Sequence, residues 1–347
     1  MNSEGRLAER PVRLGIAGDV MLGRLVNEVV REKGSSHPWG NLAPALWSLD
    51  AFLINLECAI TNRVEKWHNG YYRPFHFRAN SVALETLRAG RVDVASIANN
   101  HIGDFGPGGL LDTVAALDGG GIAHAGAGRD LSAARAPALI HAGGMRIALL
   151  GFADYPDTWA ATASRPGLNF TKVSVADEDF APVAEAITAA RALADLVIFS
   201  IHWGPNMREH PPEEFRHFAH RVIDSGATIF WGHSAHILQG VEYRDDAAIL
   251  YDTGDFIDDY AVDQDLRNDL GALFVIDVLP HHVAGVSMLP VRIDHMAVNR
   301  APDEDRTWII RRMEALCSDF GSGLTEGAGG LIRIEPAHHV VPEGEPG

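Results

Sequence analysis

Apolar residues in this chain gather into short runs separated by turn residues. Val12–Ala17, Phe52–Leu56, Val92–Ile97, Met145–Phe152, Leu196–Ile201 and Thr228–Trp231 are rich in Val, Ile and Phe, the mark of buried strands. Between several of them apolar positions recur at helical spacing, in Ser81–Ala89, Gly108–Leu117, Phe180–Leu193 and Glu213–Ser225. Pro211 and Pro212 lead the last of these and favour a helix start. Strand and helix alternate, which predicts an α/β layered fold. After Gly240 the pattern changes to strands at Ala248–Asp252, Ala272–Val278, Gly285–Ile293 and Leu331–Ile334, with one helix at Glu304–Phe320. That mixture predicts a second sheet packed on the first, within one domain over 12–335, with flexible ends at 1–11 and 336–347.

Composition supports this picture and narrows the partners. Of 347 residues, 46% are hydrophobic and 22% charged, the make-up of an ordinary globular protein with material for a sizeable core. The formal net charge is −17, from 46 acidic and 29 basic residues, so a polyphosphate backbone is repelled and nucleic acid is not an expected partner. Cys58 and Cys317 stand far apart and imply neither a disulfide framework nor a zinc knuckle. The polar start of the chain lacks the apolar stretch of a signal peptide, and no apolar run is long enough for a membrane anchor. The expected location is the cytoplasm. The glycine-rich stretches Gly103–Gly109 and Gly119–Gly128 lack phosphate-loop spacing and read as turns.

The chemistry is concentrated where strands end. Asp19, Glu57, Asn100 with His101, His202 and His233 each follow one of the predicted strands, and His236 lies three residues after His233. Loops leaving the carboxyl ends of strands in α/β sheets converge on one edge, where ligands bind. Singly, most of these residues have plainer explanations. Asp19 after Gly18 suits a helix cap, Glu57 a salt bridge, Asn99-Asn100 a turn and His202 a hydrogen-bonded core histidine. The run Gly232-His233-Ser234-Ala235-His236 favours metal more directly, and the joint occurrence in strand order strengthens the others. Carboxylate, amide and imidazole donors together suit Mn²⁺, Fe²⁺ or Zn²⁺ rather than Ca²⁺. One or two divalent ions are expected.

Six runs in order resemble the CapA family of poly-γ-glutamate capsule biosynthesis proteins, within the calcineurin-like metallophosphatase superfamily. They are Gly18-Asp19-Val20-Met21-Leu22-Gly23-Arg24, Asn55-Leu56-Glu57, Ala98-Asn99-Asn100-His101, His202-Trp203-Gly204, Gly232-His233-Ser234-Ala235-His236 and Tyr251-Asp252-Thr253-Gly254-Asp255-Phe256. The resemblance implies a four-layer αββα sandwich of two packed mixed β-sheets flanked by helices. It implies that Asp19 binds one metal, that Glu57 bridges two, that Asn100, His202 and His233 complete one position and that His236 completes the other. His101 would serve as general acid and bind no metal. Met21 departs from the superfamily pattern, which has histidine there, and this weakens one metal position. Asn206 and Asp255 depart from the glutamate and asparagine often found in the family, and both are expected to line the substrate pocket.

Further candidates for binding an anionic substrate are Arg24, Arg73 and Arg78, with Arg208 of similar standing. The first lies beside the Asp19 run, while Arg73 and Arg78 lie in the aromatic and basic stretch Trp67–Arg78, which equally suits a loop packed by its own rings. The expected function is a metal-dependent hydrolase acting on a small anionic molecule through metal-activated hydroxide, at a phosphoester or a γ-glutamyl or other amide bond. The alternative is a non-catalytic accessory protein in poly-γ-glutamate and capsule biosynthesis.

Overall fold

The computed structural model describes residues 10–67 and 73–336. The segment His68–Tyr72 of the aromatic stretch lies outside these residues, as do 1–9 and 337–347 of the ends expected to be flexible. Arg10 and Pro336 are described: Arg10 pairs with Asp50 at 2.6 Å, and Pro336 ends a strand paired with Ser322.

The larger sheet runs in the order Ser322–Glu326, Ile332–Pro336, His282–Asp294, Leu270–Leu279, Val12–Val20, Ala51–Leu56, Val94–Ser96, Ala123–Ala125. Pairing is parallel from Val12–Val20 to Ala123–Ala125 and antiparallel on the other side. The second sheet runs Val241–Arg244, Ala247–Leu250, Ile229–His233, Leu196–His202, Met145–Ala153, Ala138–Ala142. Its inner pairs are parallel and its outermost pairs antiparallel. Both sheets are therefore mixed.

Side chains alternate across each strand, and here both faces are covered, so the strands read as continuous apolar runs. Leu14, Ile16, Leu53 and Phe274 of the first sheet meet Leu149, Ile198, Trp231 and Leu250 of the second in the core between them. On the outer face of the first sheet, Phe52, Ile54 and Leu56 pack with Val26, Val30, Leu87 and Leu110 of helices Arg24–Lys33, Val82–Ala89 and Gly106–Gly120. On the outer face of the second, Leu150, Phe199 and Phe230 pack with Phe180, Ile187, Phe218 and Val222 of helices Asp177–Arg191 and Glu213–Asp224. Each fully buried Phe or Leu contributes roughly 1.5–3 kcal/mol relative to exposure. The result is the expected four-layer αββα sandwich. Among the described residues, no helix is long and apolar enough to cross a membrane.

One expectation needs correction. The strands after Gly240 do not form a sheet of their own. Val241–Arg244 and Ala247–Leu250 extend the second sheet, whereas Leu270–Leu279 pairs antiparallel with Val12–Val20 and brings the later strands into the first. The edge of Val12–Val20 opposite Ala51–Leu56 supplies the backbone partners for that return, and burial of Phe274 and Ile276 between the sheets holds it.

Candidate metal centre

The site forms where both sheets present the carboxyl ends of their parallel strands. Asp19 belongs to strand Val12–Val20 itself, in parallel register with Asn55 on one side and Asp255 on the other. The Asp255–Ile257 pairing is reinforced by Asp19 N–H donating to Gly254 O at 2.9 Å and Met21 N–H to Ile257 O at 2.8 Å. Glu57 follows strand Ala51–Leu56, and its N–H donates to Val20 O at 3.0 Å. From the second sheet come His202 and His233, side by side in parallel register at the ends of adjacent strands. His236 is aimed by the turn after His233, in which Ser234 and His236 both hold positive φ, 123° and 61°. Such backbone is costly for residues with a side chain and persists where the surroundings impose it. Asp252 imposes it here: its carboxylate accepts from Ala235 N and Gly254 N, both at 2.8 Å, tying the histidine turn to the Asp255 loop.

Two groups of donors result, with Asp19 in both: Asp19, His202 and His233, and Asp19, Glu57, His236 and Asp255. His236 Nδ1 lies 2.8 Å from Asp255 Oδ1 and 3.3 Å from Asp19 Oδ2, and His233 Nδ1 lies 3.8 Å from Asp19 Oδ1. The shared carboxylate in this arrangement is thus Asp19, with Glu57 in one group. Asp255, expected to line a substrate pocket, stands among the ligand-type groups because its strand pairs with that of Asp19.

The donor set fits a cation. Glu57 Oε1 and Asp255 Oδ2 are buried without a hydrogen-bond partner, as is the amide oxygen Asn100 Oδ1, an expensive condition, above all for carboxylate oxygens, unless positive charge faces them. His202 Nδ1 and His233 Nδ1 face each other at 3.1 Å, and two lone pairs at that distance repel unless a proton or a cation lies between them. The ionisations show the same crowding. Burial pushes the Glu57 carboxyl well up, with the Asp19 charge adding to it, and burial raises Asp255 to about 6. Burial also raises Asp19, but the hydrogen bond and charge of His236 and the neighbouring His202 and His233 bring it down to about 2. Burial lowers His233 to about 4, while His236, which burial also lowers, is carried well above its ordinary value by Asp255 and Glu57.

His101 stands beside these groups without joining them. Its Nδ1–H donates to Asp104 Oδ2 at 2.7 Å, its Nε2 lies 3.9 Å from Glu57 Oε1, and its ring stacks on Phe77 at 3.9 Å between centroids. Asp104, fully buried, also accepts from Phe77 N at 2.7 Å and from Arg73 Nη2 at 3.1 Å. Arg73 further donates to Asn100 O and lies 4.5 Å over the Trp159 ring, so its guanidinium is spent within the frame of the site. Arg24 pairs with buried Asp259 at 3.3 Å and lies over Phe75 and Phe77. Arg78 donates to the carbonyls of Asn62 and Arg63 and lies over Phe105. None of the three arginines presents an unengaged guanidinium. Asn206 is exposed in the loop after His202, and Arg208 is exposed beside it, with its carbonyl accepting from Gln239. Met21 is buried, and its sulfur accepts from Gly23 N at 3.1 Å.

A family model described as "Bacterial capsule synthesis protein PGA_cap" matches residues 13–260. The chain belongs to that family. A "Probable polyglutamine synthesis accessory protein" of Mycobacterium tuberculosis is 32% identical, over 94% of this chain and 96% of its own length. The "Capsule biosynthesis protein CapA" of Bacillus anthracis is 27% identical over 80% of this chain and 68% of its own. The "PGA biosynthesis protein CapA" of Bacillus subtilis is 30% identical over 70% of this chain and 62% of its own. All the motif runs that carried the resemblance fall within the matched span. The αββα sandwich described above is the layering that the resemblance implied.

Several groups that shape the centre of this PGA_cap chain were given no role there from the sequence, although Asn55 and Asn99 lie in the runs that carry the resemblance. Tyr260 donates to Glu57 Oε2 at 3.1 Å and stacks on Phe77, and Asn55 donates to Asp19 Oδ1 at 2.6 Å. Asn99 donates to Asn55 Oδ1 and Leu56 O, while its own oxygen accepts from the N–H groups of His101 and Ile102. Asp104 had a usable signal, a carboxylate three residues after His101. Tyr260 had none, since 203 positions separate it from its partner Glu57.

Proposed function

We propose that this chain is a metal-dependent hydrolase acting on a small anionic substrate at a phosphoester or γ-glutamyl amide bond. Asp19, Glu57, Asn100, His202, His233, His236 and Asp255 would hold one or two Mn²⁺, Fe²⁺ or Zn²⁺ ions. A divalent ion bound there supplies Lewis-acid polarisation of the substrate and of its attacking water. The observation that carries the reading is His101, an imidazole oriented by buried Asp104, with its free nitrogen beside the donor cluster and no place in either ligand group. Asp104 fixes the tautomer, and Phe77, itself stacked on Tyr260, covers one face of the ring. His101 Nε2 is then placed to hand a proton to a leaving group. The cytoplasmic setting and the small-molecule partner expected from the sequence belong to this proposal.

The test is turnover by Mn²⁺-loaded protein on p-nitrophenyl phosphate and on γ-glutamyl p-nitroanilide. His101→Asn is expected to keep its metal and its melting temperature while kcat falls by ~10²–10⁴-fold. Loss of metal from His101→Asn would make the histidine a ligand and reverse its assignment relative to Asn100. A second reading is favoured by the accessory role in the name of the M. tuberculosis relative. On that reading the protein binds metal and serves γ-glutamyl polymer assembly without turnover, and metal-loaded protein inactive on both substrate classes would support it.

A further inference from the structure

Ser96 and Ser200 sit in the apolar layer between the sheets, and both are wholly buried. Ser96 ends strand Val94–Ser96 of the first sheet; Ser200 lies in strand Leu196–His202 of the second, in register with Trp231. Their neighbours on the same strands, such as Val94 and Ile198, contribute to the hydrophobic core. A hydroxyl placed there costs free energy unless it is paired. Both are paired: Ser200 Oγ lies 3.0 Å from Ser96 Oγ and 2.9 Å from His233 Nε2. A Ser200 hydroxyl that donates to Ser96 accepts from His233 Nε2–H, and one that accepts from Ser96 donates to Nε2. A proton on Nε2 leaves His233 a lone pair at Nδ1, the atom 3.1 Å from His202 Nδ1 and 3.8 Å from Asp19 Oδ1.

We propose that Ser200 donates to Ser96 and accepts from His233 Nε2–H, a two-hydroxyl relay across the sheets that fixes the His233 tautomer and so prepares Nδ1 to bind a divalent cation. Both are positioning residues, and the proposal rests on the reading of His233 as a ligand. Partners of this kind behind a ligating histidine commonly set metal affinity by 10–100-fold. The role of Ser96 is the distinctive consequence. It is bonded to Ser200 rather than to the imidazole, yet without it the Ser200 proton has lost its acceptor and turns to His233 Nε2. The imidazole proton then moves to Nδ1, where it blocks the donor atom. Removing a group one step away therefore damages the site through the direction of a hydrogen bond.

The test combines ¹⁵N NMR of the imidazoles in metal-free protein with calorimetric titration by Mn²⁺, for wild type, Ser200→Ala, Ser96→Ala and the double variant. The wild type is expected to show His233 protonated at Nε2, and Ser96→Ala to show it protonated at Nδ1. Each single variant should bind Mn²⁺ roughly 10–100-fold more weakly, and the double variant no more weakly than Ser200→Ala, because the two act in series. Ser200→Thr, which keeps the hydroxyl, should restore most of the affinity. An Nδ1–H tautomer in the wild type overturns the proposal. So do single variants that bind Mn²⁺ within about twofold of wild type, or losses that simply multiply in the double variant. Should the wild type bind no Mn²⁺, the metal reading fails by itself, and the tautomer measurement still decides whether the relay sets the imidazole.

Discussion

Met21 and Asp255 show how far single residues can be read before their neighbours are known. From the sequence, Met21 marks a missing imidazole and a weak metal position, because a thioether is a poor ligand for borderline ions. In the structure Met21 turns its sulfur to Gly23 N, and Asp255 joins Asp19, Glu57 and His236 to make a group of four possible donors. Asp255→Asn is therefore expected to weaken the second metal-binding event at least tenfold, on the scale set by removing a ligand or its support. Met21→His should change it by no more than about twofold by the same measure. Calorimetric titration of both variants decides the matter: tightening in Met21→His with no loss in Asp255→Asn would return the position to residue 21. The histidines and Glu57 were legible because imidazoles and carboxylates at strand ends carry their chemistry in their type. Asn55, Asn99 and Tyr260 were not, because an amide or phenol becomes informative only through the partner it meets across the fold.

At the scale of elements, the long strands were legible from their apolar runs, and the strand through Leu14 and Ile16 only needed extending to Val20 to include Asp19. Short or edge strands such as Ala123–Ala125 and Ala138–Ala142, and the largely polar helix Arg24–Lys33, were missed. The strands offer few buried positions, and pairing with a distant neighbour makes them; the helix, with Val26 and Val30 four apart on its buried face, carried a period that went unread. The junction of Val12–Val20 with the Asp255 loop is unusually close: a Cβ on Gly18 would lie 1.7 Å from Gly254 O and 2.9 Å from Thr253 O. Gly18→Ala is expected to push the two apart, lower stability by about 1–3 kcal/mol and reduce metal affinity through Asp255, as read by urea melts and titration together. Normal stability with normal affinity would show that the junction yields without cost. A second element contact gives a pH signature. The Asp195 carboxyl is lowered to about 2, first by the Arg146 side chain and then by its backbone N–H, at 2.9 Å each. Its folded value lies below the unfolded one near ~3.9, so the stabilisation is present above that value and is lost as pH falls toward 2. The urea midpoint of Asp195→Asn should therefore lie below that of wild type from pH 5 to 7, and the gap should close as pH falls toward 2. A gap independent of pH would mean that the carboxylate charge contributes nothing.

Across the whole molecule, the site is a seam: Asp19, Glu57 and Asp255 come from the first sheet or its loops, and His202, His233 and His236 from the second or its following turn. Which strands enter which sheet escaped the sequence pattern, since Leu270–Leu279 resembles any buried strand until its pairing with Val12–Val20 is seen. The meeting of the two halves at one edge was legible all the same, because carboxyl ends of parallel strands gather functional groups wherever the sheets lie. An ion held by these groups would link the sheets and couple folding to metal occupancy. Without a cation, buried unpartnered oxygens of Glu57 and Asp255 oppose closure of the seam, and an ion that binds only the folded chain adds stability by mass action. At a free ion concentration 100 times Kd the gain is ~2.7 kcal/mol, which for a chain of this size corresponds to a rise in Tm of roughly 2–4 °C per kcal/mol at most. Thermal melts of protein stripped with chelator and titrated with Mn²⁺ should show Tm climbing with the logarithm of free ion above Kd. The Asp19→Asn variant, which alters the carboxylate common to both donor groups, should show little of that climb while remaining folded. A Tm in wild type that ignores Mn²⁺ over the range in which calorimetry detects binding would mean that the ion binds folded and unfolded chains alike, and the seam would then owe its closure to the apolar layer alone.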